Sequence, residues 1–266
     1  MVAELAYDVA GPLGREVPLV LLHAFPLERS MWRDVAERLA AAGVPTVAVD
    51  LPGLGDSPLP ESVVPDLAVS ADAVAALLDR LGVRRAVVAG VSMGGYVALA
   101  LARSRPDLLA GLALIDTKAE ADAEPARAGR ERIAAAVEGE AGTRALAPLL
   151  DGLLGATTRA ARPEVVRRVD DGLRRARAEG VAWSQRAMAV RPDATAELVG
   201  IAVPAVVVVG EEDGLTPPAQ AAALAAALPD AVLTVIPRAG HLSPLEAPDA
   251  VAAALLNLLL RVRPGA

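Results

Sequence analysis

The sequence predicts an α/β protein that is built on a mostly parallel, doubly wound β-sheet. Short apolar runs alternate along the chain with longer helix-like segments, which is typical of a parallel sheet covered by helices on both faces. The run at residues 17–22 is apolar throughout, as expected of a strand buried on both faces. Polar residues follow several of these runs, at the edge where open α/β sheets place their binding sites.

Each strand is predicted from one apolar run, at residues 17–22, 46–49, 85–89, 111–115, 205–209 and 232–236. The helices are predicted at residues 31–42 and 67–81, over a stretch ending near residue 103, and at residues 218–228 and 248–260. Ser30 is predicted to cap the first helix, and Gly82 is predicted to end the second. Residues 50–57 contain several Gly and Pro residues and are predicted to form a loop.

The alternation of strands and helices stops in the middle of the chain. Residues 118–192 contain no apolar run of the strand type and are rich in Ala, Leu, Arg and Glu, which favour helices. We therefore expect a helical lid, inserted between two strands and lying above the sheet. Residues 1–117 and 193–266 then form the α/β core.

Composition excludes several classes of function. The net charge of the 266-residue chain is -7, which argues against a nucleic-acid partner. Cysteine is absent and there are only two histidines, so neither thiolate chemistry nor a metal site is expected. No apolar run approaches the ~20 residues of a membrane span, and the first residues do not resemble a secretion signal. We expect a cytoplasmic protein without a membrane partner, and homo-oligomerisation remains open.

Ser92 lies in a setting that is typical of a nucleophile. It follows the apolar run 86–89, precedes a helix-like stretch, and is flanked by Gly90 and Gly94 two residues away on each side. A tight strand-to-helix turn exposes the serine hydroxyl and holds its backbone in a strained conformation. The two flanking positions are crowded in such a turn, so both must lack a side chain.

A serine hydroxyl needs a neighbouring base, and the chain offers two histidines. His241 follows the last predicted strand, and His23 follows the first. Asp213, after the strand at 205–209, could orient the imidazole, and Asp116, after the strand at 111–115, is the rival acid. The order Ser92, Asp213, His241 is the chain order of an α/β-hydrolase triad.

Five ordered segments give the chain a resemblance to the α/β-hydrolase superfamily over nearly its full length. They are the segment 23–26, the loop 50–57, the serine turn, the Asp213 loop and the His241 loop. Within the serine-hydrolase branch, the chain looks most similar to small bacterial esterases and lactonases, including the 3-oxoadipate enol-lactonase group. The resemblance implies a serine hydrolase of the α/β-hydrolase fold.

The resemblance also implies a role for each residue. Ser92 would attack the substrate carbonyl, His241 would accept and later donate its proton, and Asp213 would fix the imidazole tautomer. The backbone N–H groups of Met93 and Phe25 would bind the oxyanion. The family usually has glycine after the loop histidine where this chain has Ala24, so the geometry of that loop is an open point.

The sequence also offers candidates for the substrate pocket and for charged surface positions. Ala24, Trp32, Trp183 and Met188 are candidates for the substrate pocket, with core packing within the lid as the alternative for the last two. His23 is expected to hydrogen-bond its own loop, and Glu212 to be solvated. The arginines between 167 and 177 are expected on a solvated face, with binding of a substrate carboxylate as the alternative. They are Arg167, Arg168, Arg174, Arg175 and Arg177.

We therefore predict a serine hydrolase without a cofactor that cleaves a small ester or lactone through an acyl-enzyme. A thioesterase, a carbon–carbon bond hydrolase and a haloperoxidase-like perhydrolase without a cofactor are alternatives with related chemistry. A ligand sensor that keeps the triad but has little turnover is the alternative from another class, on the analogy of fold alone.

Overall fold

A computed structural model describes residues 4–14, 16–60 and 64–262. Within these residues, seven strands form one sheet in the order β1-β3-β2-β4-β5-β6-β7. Among these seven strands only β1, which pairs with β3, is antiparallel. The strands are β1 Tyr7–Ala10, β2 Leu19–Leu22, β3 Thr46–Val49, β4 Ala86–Val91, β5 Leu109–Ile115, β6 Ala205–Gly210 and β7 Ala231–Ile236. The predicted α/β class and mostly parallel sheet are confirmed.

Helices connect the strands, and the described part of the chain also contains four short 3-10 helices. The α-helices are α1 Arg33–Ala41, α2 Leu67–Arg80, α3 Met93–Ser104, α4 Glu124–Glu138, α5 Leu150–Leu153, α6 Ala156–Ala161, α7 Pro163–Arg175, α8 Ala178–Val190, α9 Pro218–Ala227, α10 Ser243–Glu246 and α11 Pro248–Arg261. The 3-10 helices are Arg29–Trp32, Pro106–Leu108, Gly142–Leu149 and Thr195–Gly200. No helix of the described residues is long and apolar enough to cross a membrane.

Strands β2 to β6 are buried at every residue, which explains why the sequence shows them as unbroken apolar runs. From β2 the chain crosses to β3 on one side in the sheet, and from β3 it returns past β2 to β4 on the other side. Because such crossovers are right-handed, the change of direction puts α1 and α2 on opposite faces of the sheet. Helix α1 accordingly packs against α11, and α2 against α3.

Two local expectations were wrong or incomplete. Strand β1 was not predicted, because its four residues are mostly exposed and form no apolar run. Ser30 does not cap α1: the chain first forms the 3-10 helix Arg29–Trp32, and the Glu28 side chain accepts the hydrogen bond from the Ser30 N–H. Glu28 lies directly before this turn, and its side chain accepts from one of the free N–H groups at the start of the turn.

The segment 118–192 contains helices α4 to α8 and the 3-10 helix Gly142–Leu149, with no strand among its residues. Helices α4 and α8 pack against each other. Several residues of this segment line the same cavity as Ser92. That placement agrees with a lid, and the division into a core and a lid remains a prediction.

Candidate active site

Ser92 occupies a sharp turn between β4 and α3. Its backbone has φ 52° and ψ -111°, a left-handed conformation that costs a non-glycine residue about 1–3 kcal/mol. Neighbouring groups hold this conformation: the Ser92 N–H donates to the carbonyl of Ile115 at 2.9 Å, and the Thr117 hydroxyl donates to the carbonyl of Ser92 at 2.8 Å. The turn fixes the position of the Ser92 hydroxyl beyond the end of the strand.

The two flanking glycines are required for steric reasons. A methyl group at Gly90 would overlap the carbonyl of Gly94, so these two positions crowd each other as predicted. A methyl group at Gly94 would instead overlap the carbonyl of Leu22 at the end of β2. The turn therefore lies directly against the neighbouring strand, a contact that the five-residue pattern does not reveal.

The structure brings the Ser92, His241 and Asp213 side chains into a line of hydrogen bonds. His241 Nε2 lies 2.9 Å from Ser92 Oγ, and His241 Nδ1 lies 2.9 Å from Asp213 Oδ2. The imidazole and the carboxylate are both buried, whereas Ser92 is partly exposed. With Nδ1 protonated and bound to the carboxylate, Nε2 is free to accept the serine proton.

The loop after β6 holds the Asp213 carboxylate with three donors besides the histidine. Oδ1 accepts from the N–H groups of Leu215 at 2.8 Å and Thr216 at 2.9 Å, and Oδ2 accepts from the Thr216 hydroxyl at 2.6 Å. Burial alone would raise the pKa of Asp213, but the hydrogen bonds from His241 and Thr216 bring it below the usual value. Asp213 therefore stays ionised beside the imidazole.

The charge of Asp213 acts on His241 in turn. Burial alone would lower the pKa of His241, but the hydrogen bond and the negative charge of Asp213 raise it above the usual value. Thr216, which the sequence reasoning did not single out, supports both groups. Its position three residues after an aspartate in a loop is a typical side-chain turn signal, and that signal could have identified it.

Asp116, the rival acid, is buried but makes different bonds. Its Oδ1 accepts from the Gly210 N–H at 2.9 Å and its Oδ2 from the Ser243 N–H at 3.0 Å. Burial, together with the nearby charge of Asp213, raises the pKa of Asp116 to about 7. The carboxyl group of Asp116 thus joins the end of β6 to the start of α10, just after His241, while the imidazole itself is bonded to Asp213.

His23 is fully buried and holds its own loop. Its Nε2 accepts from the Leu51 N–H at 2.9 Å, so Nδ1 carries the proton and donates to the Ala24 carbonyl at 3.0 Å. Burial lowers the pKa of His23, and the neutral ring fits both bonds. Because both nitrogens are engaged, His23 is not available as a base for Ser92.

The two residues proposed as oxyanion donors, Met93 and Phe25, lie just after the ends of β4 and β2, respectively. Met93 is the first residue of α3, and Phe25 lines the cavity that contains Ser92. Neither backbone N–H donates to an acceptor in the described part of the chain. Ala24, which was predicted to line the substrate pocket, is buried and does not line this cavity. Its N–H donates to the Met31 sulfur at 3.2 Å.

A cavity of about 490 Å³ contains the Ser92 and His241 side chains. Its apolar wall comes mainly from the segment 118–192 and the loop after β6, and includes Ile133, Leu149, Leu153 and Leu215. Its polar wall includes Lys118, Asp122, Arg130 and Gln185, none of which the sequence reasoning selected. No His, Cys, Asp or Glu cluster suited to a metal ion occurs among the described residues.

Of the remaining pocket candidates, only Met188 lines this cavity. Trp32 was wrongly predicted: the 3-10 turn that precedes α1 directs its ring into the core, where it is fully buried. Trp183 is also buried and lies outside the lining.

The expectations for three charged residues, Arg168, Arg177 and Glu212, also need correction. Arg168 donates to Asp34 and to the Ser30 carbonyl, both at 2.6 Å, and Arg177 donates to the Ser57 carbonyl, so these two join the helical segment to the core. None of the arginines between 167 and 177 lines the cavity around Ser92. Glu212 is not simply solvated, because it accepts from the N–H of Thr157 at 2.8 Å.

Comparison with known proteins identifies the family. A family model described as alpha/beta hydrolase fold matches residues 17–248, so the chain belongs to the α/β hydrolase family. The chain is 34% identical over 263 residues to the dihydrolipoyllysine-residue acetyltransferase component of the acetoin cleaving system of Pseudomonas putida. That match covers 95% of this chain and 65% of the relative, slightly less than two thirds of its length.

Other relatives are similar over nearly their full length. A pimeloyl-[acyl-carrier protein] methyl ester esterase of Neisseria meningitidis is 32% identical, with 88% of this chain and 90% of the relative covered. The structure of a thermophilic esterase from Thermogutta terrifontis (malate bound) has a TM-score of 0.93 and 36% identity, covering 98% and 95% of the two chains. The enol-lactonase from Burkholderia xenovorans has a TM-score of 0.88 and 29% identity, covering 97% of each chain. These neighbours support a hydrolase that resembles esterases and lactonases.

Proposed function

We propose that the protein is a serine hydrolase that cleaves a small carboxylic ester or lactone through an acyl-enzyme. The observation that carries the proposal is the line of hydrogen bonds from Ser92 through His241 to Asp213. The esterases and the enol-lactonase to which the chain is similar support the same chemistry. An ester and a lactone present the same kind of acyl carbonyl, so one site can act on both.

In the first half of the reaction, Ser92 Oγ attacks the acyl carbonyl while His241 Nε2 takes the hydroxyl proton. The imidazolium that forms is stabilised by the Asp213 carboxylate, and it then gives its proton to the leaving alkoxide. The Ser92 ester that remains is hydrolysed by the same steps in reverse, with water as the nucleophile. Because the imidazole must be neutral to accept the first proton, the reaction needs a pH above the pKa of His241.

The tetrahedral intermediates carry a negative charge on the former carbonyl oxygen. The N–H groups of Met93 and Phe25 are proposed to bind this oxygen. Met93 directly follows Ser92, Phe25 lines the same cavity, and neither N–H has an acceptor among the described residues. The N–H of Met93 also lies at the first residue of α3, where the helix dipole favours negative charge. Donors that are fixed before the reaction begins can stabilise the transition state by about 3 kcal/mol each.

The test is hydrolysis of a panel of short- to long-chain p-nitrophenyl esters, simple lactones and a matched thioester by the wild type and by Ser92→Ala. We expect Ser92→Ala to lose at least about 10⁴-fold in kcat/KM. The control is Ser104→Ala, because Ser104 is exposed at the far end of the same helix. Turnover near zero with tight binding of ligands by the wild type would favour the sensor, and preference for the thioester would favour a thioesterase.

A further inference from the structure

The cavity that contains Ser92 also contains a group of cationic side chains around one buried carboxylate. Lys118 Nζ lies 3.1 Å from Asp122 Oδ1, and Arg191 Nη2 donates to the same oxygen at 3.0 Å. Arg130 Nε donates to Asp122 Oδ2, and Arg191 Nη1 lies 2.9 Å from that oxygen. We call these four residues the cation cluster, of which Lys118, Arg130 and Asp122 line the cavity and Arg191 lies behind them.

The cation cluster holds more positive than negative charge. Burial would raise the pKa of Asp122, but its bonds to Arg191 and Arg130 hold that pKa well below its usual range, so the carboxylate is ionised. Two cationic nitrogens lie against each oxygen of Asp122, so all four acceptor positions of the carboxylate are occupied. Asp193 also interacts with the charge of Arg191, but it is exposed and accepts from backbone N–H groups. Three cations therefore share one buried anion.

The two cations that reach the cavity are held in place with donors to spare. The Arg130 guanidinium is held by Asp122 and by the Gln185 side-chain oxygen, to which Nη1 donates at 3.2 Å. Within the described residues, Asp122 is the only acidic partner of Lys118, and an ammonium carries three N–H donors. A charge in a partly dehydrated cavity is costly unless an opposite charge meets it, so an anionic ligand would be favoured here.

The cation cluster adjoins the nucleophile. Lys118 directly follows Thr117, whose hydroxyl donates to the Ser92 carbonyl at 2.8 Å. Tyr96 donates its N–H to the same carbonyl at 3.2 Å, and its ring centre lies 4.0 Å from the Arg191 guanidinium. One small molecule could therefore contact Ser92 and the cations together.

We propose that the natural substrate carries a free carboxylate in addition to its ester or lactone group, and that Lys118 and Arg130 bind that carboxylate. The inference rests on the proposed hydrolase function and names the substrate class. The apolar wall formed by Ile133, Leu149 and Leu153 suits the carbon chain that joins the two groups. A charge at one end and the reacting carbonyl at the other would also orient the substrate before the attack.

The experiment compares monomethyl esters of succinic, glutaric and adipic acid with neutral methyl esters of equal chain length. For each pair, the ratio of the two kcat/KM values reports the preference for the carboxylate. We expect a ratio above one in the wild type, and we expect Arg130→Gln and Lys118→Gln each to lower it about tenfold, the scale of one lost charge-assisted hydrogen bond. The matched control is Arg127→Gln on the same helix, because Arg127 is exposed and paired with Glu124; its ratio should equal that of the wild type.

Both variants leave Asp122 with at least two cationic partners, so each should remain folded, which thermal denaturation checks. A wild-type ratio of one or less at every chain length, or a ratio that neither variant changes, would overturn the proposal while leaving an ester hydrolase intact. If no ester is hydrolysed, the proposed function fails, and calorimetry of glutarate binding to Ser92→Ala then decides the anion site. Binding that Arg130→Gln abolishes would support it, and absence of binding would overturn it.

The chain offers a second readout that does not depend on turnover. Lys118 is the only lysine in the sequence, so acylation of its side-chain amine by an N-hydroxysuccinimide ester can be followed on a single peptide by mass spectrometry. In Ser92→Ala, which should not hydrolyse the ester, glutarate should slow this acylation, and methyl butyrate at the same concentration should not. Equal rates with and without glutarate would count against a role of Lys118 in binding the carboxylate.

Discussion

The hydrogen bonds around Asp213 make one substitution especially informative, Asp213→Asn. The backbone N–H groups of Leu215 and Thr216 both donate to Oδ1, so the amide oxygen of asparagine should take that place. The amide NH₂ then faces His241 Nδ1, where the wild type has a carboxylate oxygen at 2.9 Å. Because NH₂ can only donate, Nδ1 must become the acceptor and the imidazole proton must move to Nε2.

The consequence is a histidine in the wrong tautomer. A protonated Nε2 lies 2.9 Å from Ser92 Oγ and cannot accept the serine proton. The reverse orientation of the amide would point its NH₂ at two N–H donors, leaving buried groups unpaired at a cost of about 1–3 kcal/mol each. We therefore expect kcat/KM to fall by ~10⁴-fold, which corresponds to roughly 5 kcal/mol of transition-state stabilisation.

The assay is kcat/KM for an activated ester, measured together with the thermal midpoint of each variant. Glu211→Gln is the matched control, since it converts an exposed carboxylate of the same loop into an amide and should change kcat/KM little. Asp116→Asn tests the rival acid and should cost less than about 100-fold. The assignment of Asp213 as the catalytic acid would be refuted if kcat/KM fell less than about tenfold in Asp213→Asn. It would also be refuted if kcat/KM fell further in Asp116→Asn than in Asp213→Asn.

Three further outcomes are expected. Thr216→Val removes the hydroxyl that donates to Asp213 at 2.6 Å and should lower kcat/KM for the same ester about fivefold. An unchanged kcat/KM would mean that this hydrogen bond does not support the catalytic acid. The acid limb of the pH profile of kcat/KM should have its midpoint above pH 6.5, because Asp213 raises the pKa of His241 and the protonated ring cannot act as a base. A midpoint well below pH 6.5 would contradict this expectation. Gly90→Ala should abolish activity and lower the thermal midpoint, since its methyl group would overlap the carbonyl of Gly94; full activity would show that the turn is looser than described.

Much of the fold could be predicted because burial on both faces leaves a clear signal. The strand at residues 46–49 was predicted with the same first and last residues as the observed strand. The ends of β4, β5 and β6 were predicted to within two residues. Strand β1 left no such signal, because an edge strand of four mostly exposed residues need not be apolar. Its place is fixed by pairing with β3, a contact between distant parts of the chain.

The candidate site divides in the same way. Ser92, Asp213 and His241 follow the parallel strands β4, β6 and β7, so their meeting at one edge of the sheet could be inferred from topology. Trp32 was misplaced because the direction of a side chain depends on a 3-10 turn that the sequence pattern does not distinguish from a helix.

The polar wall of the cavity could not be read from the sequence at all. Asp122, Arg130 and Arg191 are brought together by the packing of the helical segment, and each looks like an ordinary surface charge in its own stretch of sequence. Charge pairing between residues in different segments of the chain leaves no periodic pattern from which it could be predicted. The structure was needed to show that these side chains surround one carboxylate inside the cavity.

The most direct test of the account is covalent labelling with a fluorophosphonate, followed by intact mass and peptide mapping. We expect one adduct on Ser92, absent from Ser92→Ala and strongly slowed in His241→Ala, because only a serine with a bonded base is activated enough to react. A folded protein that forms no adduct, or one that reacts at another serine, would contradict the claim that Ser92 is the nucleophile.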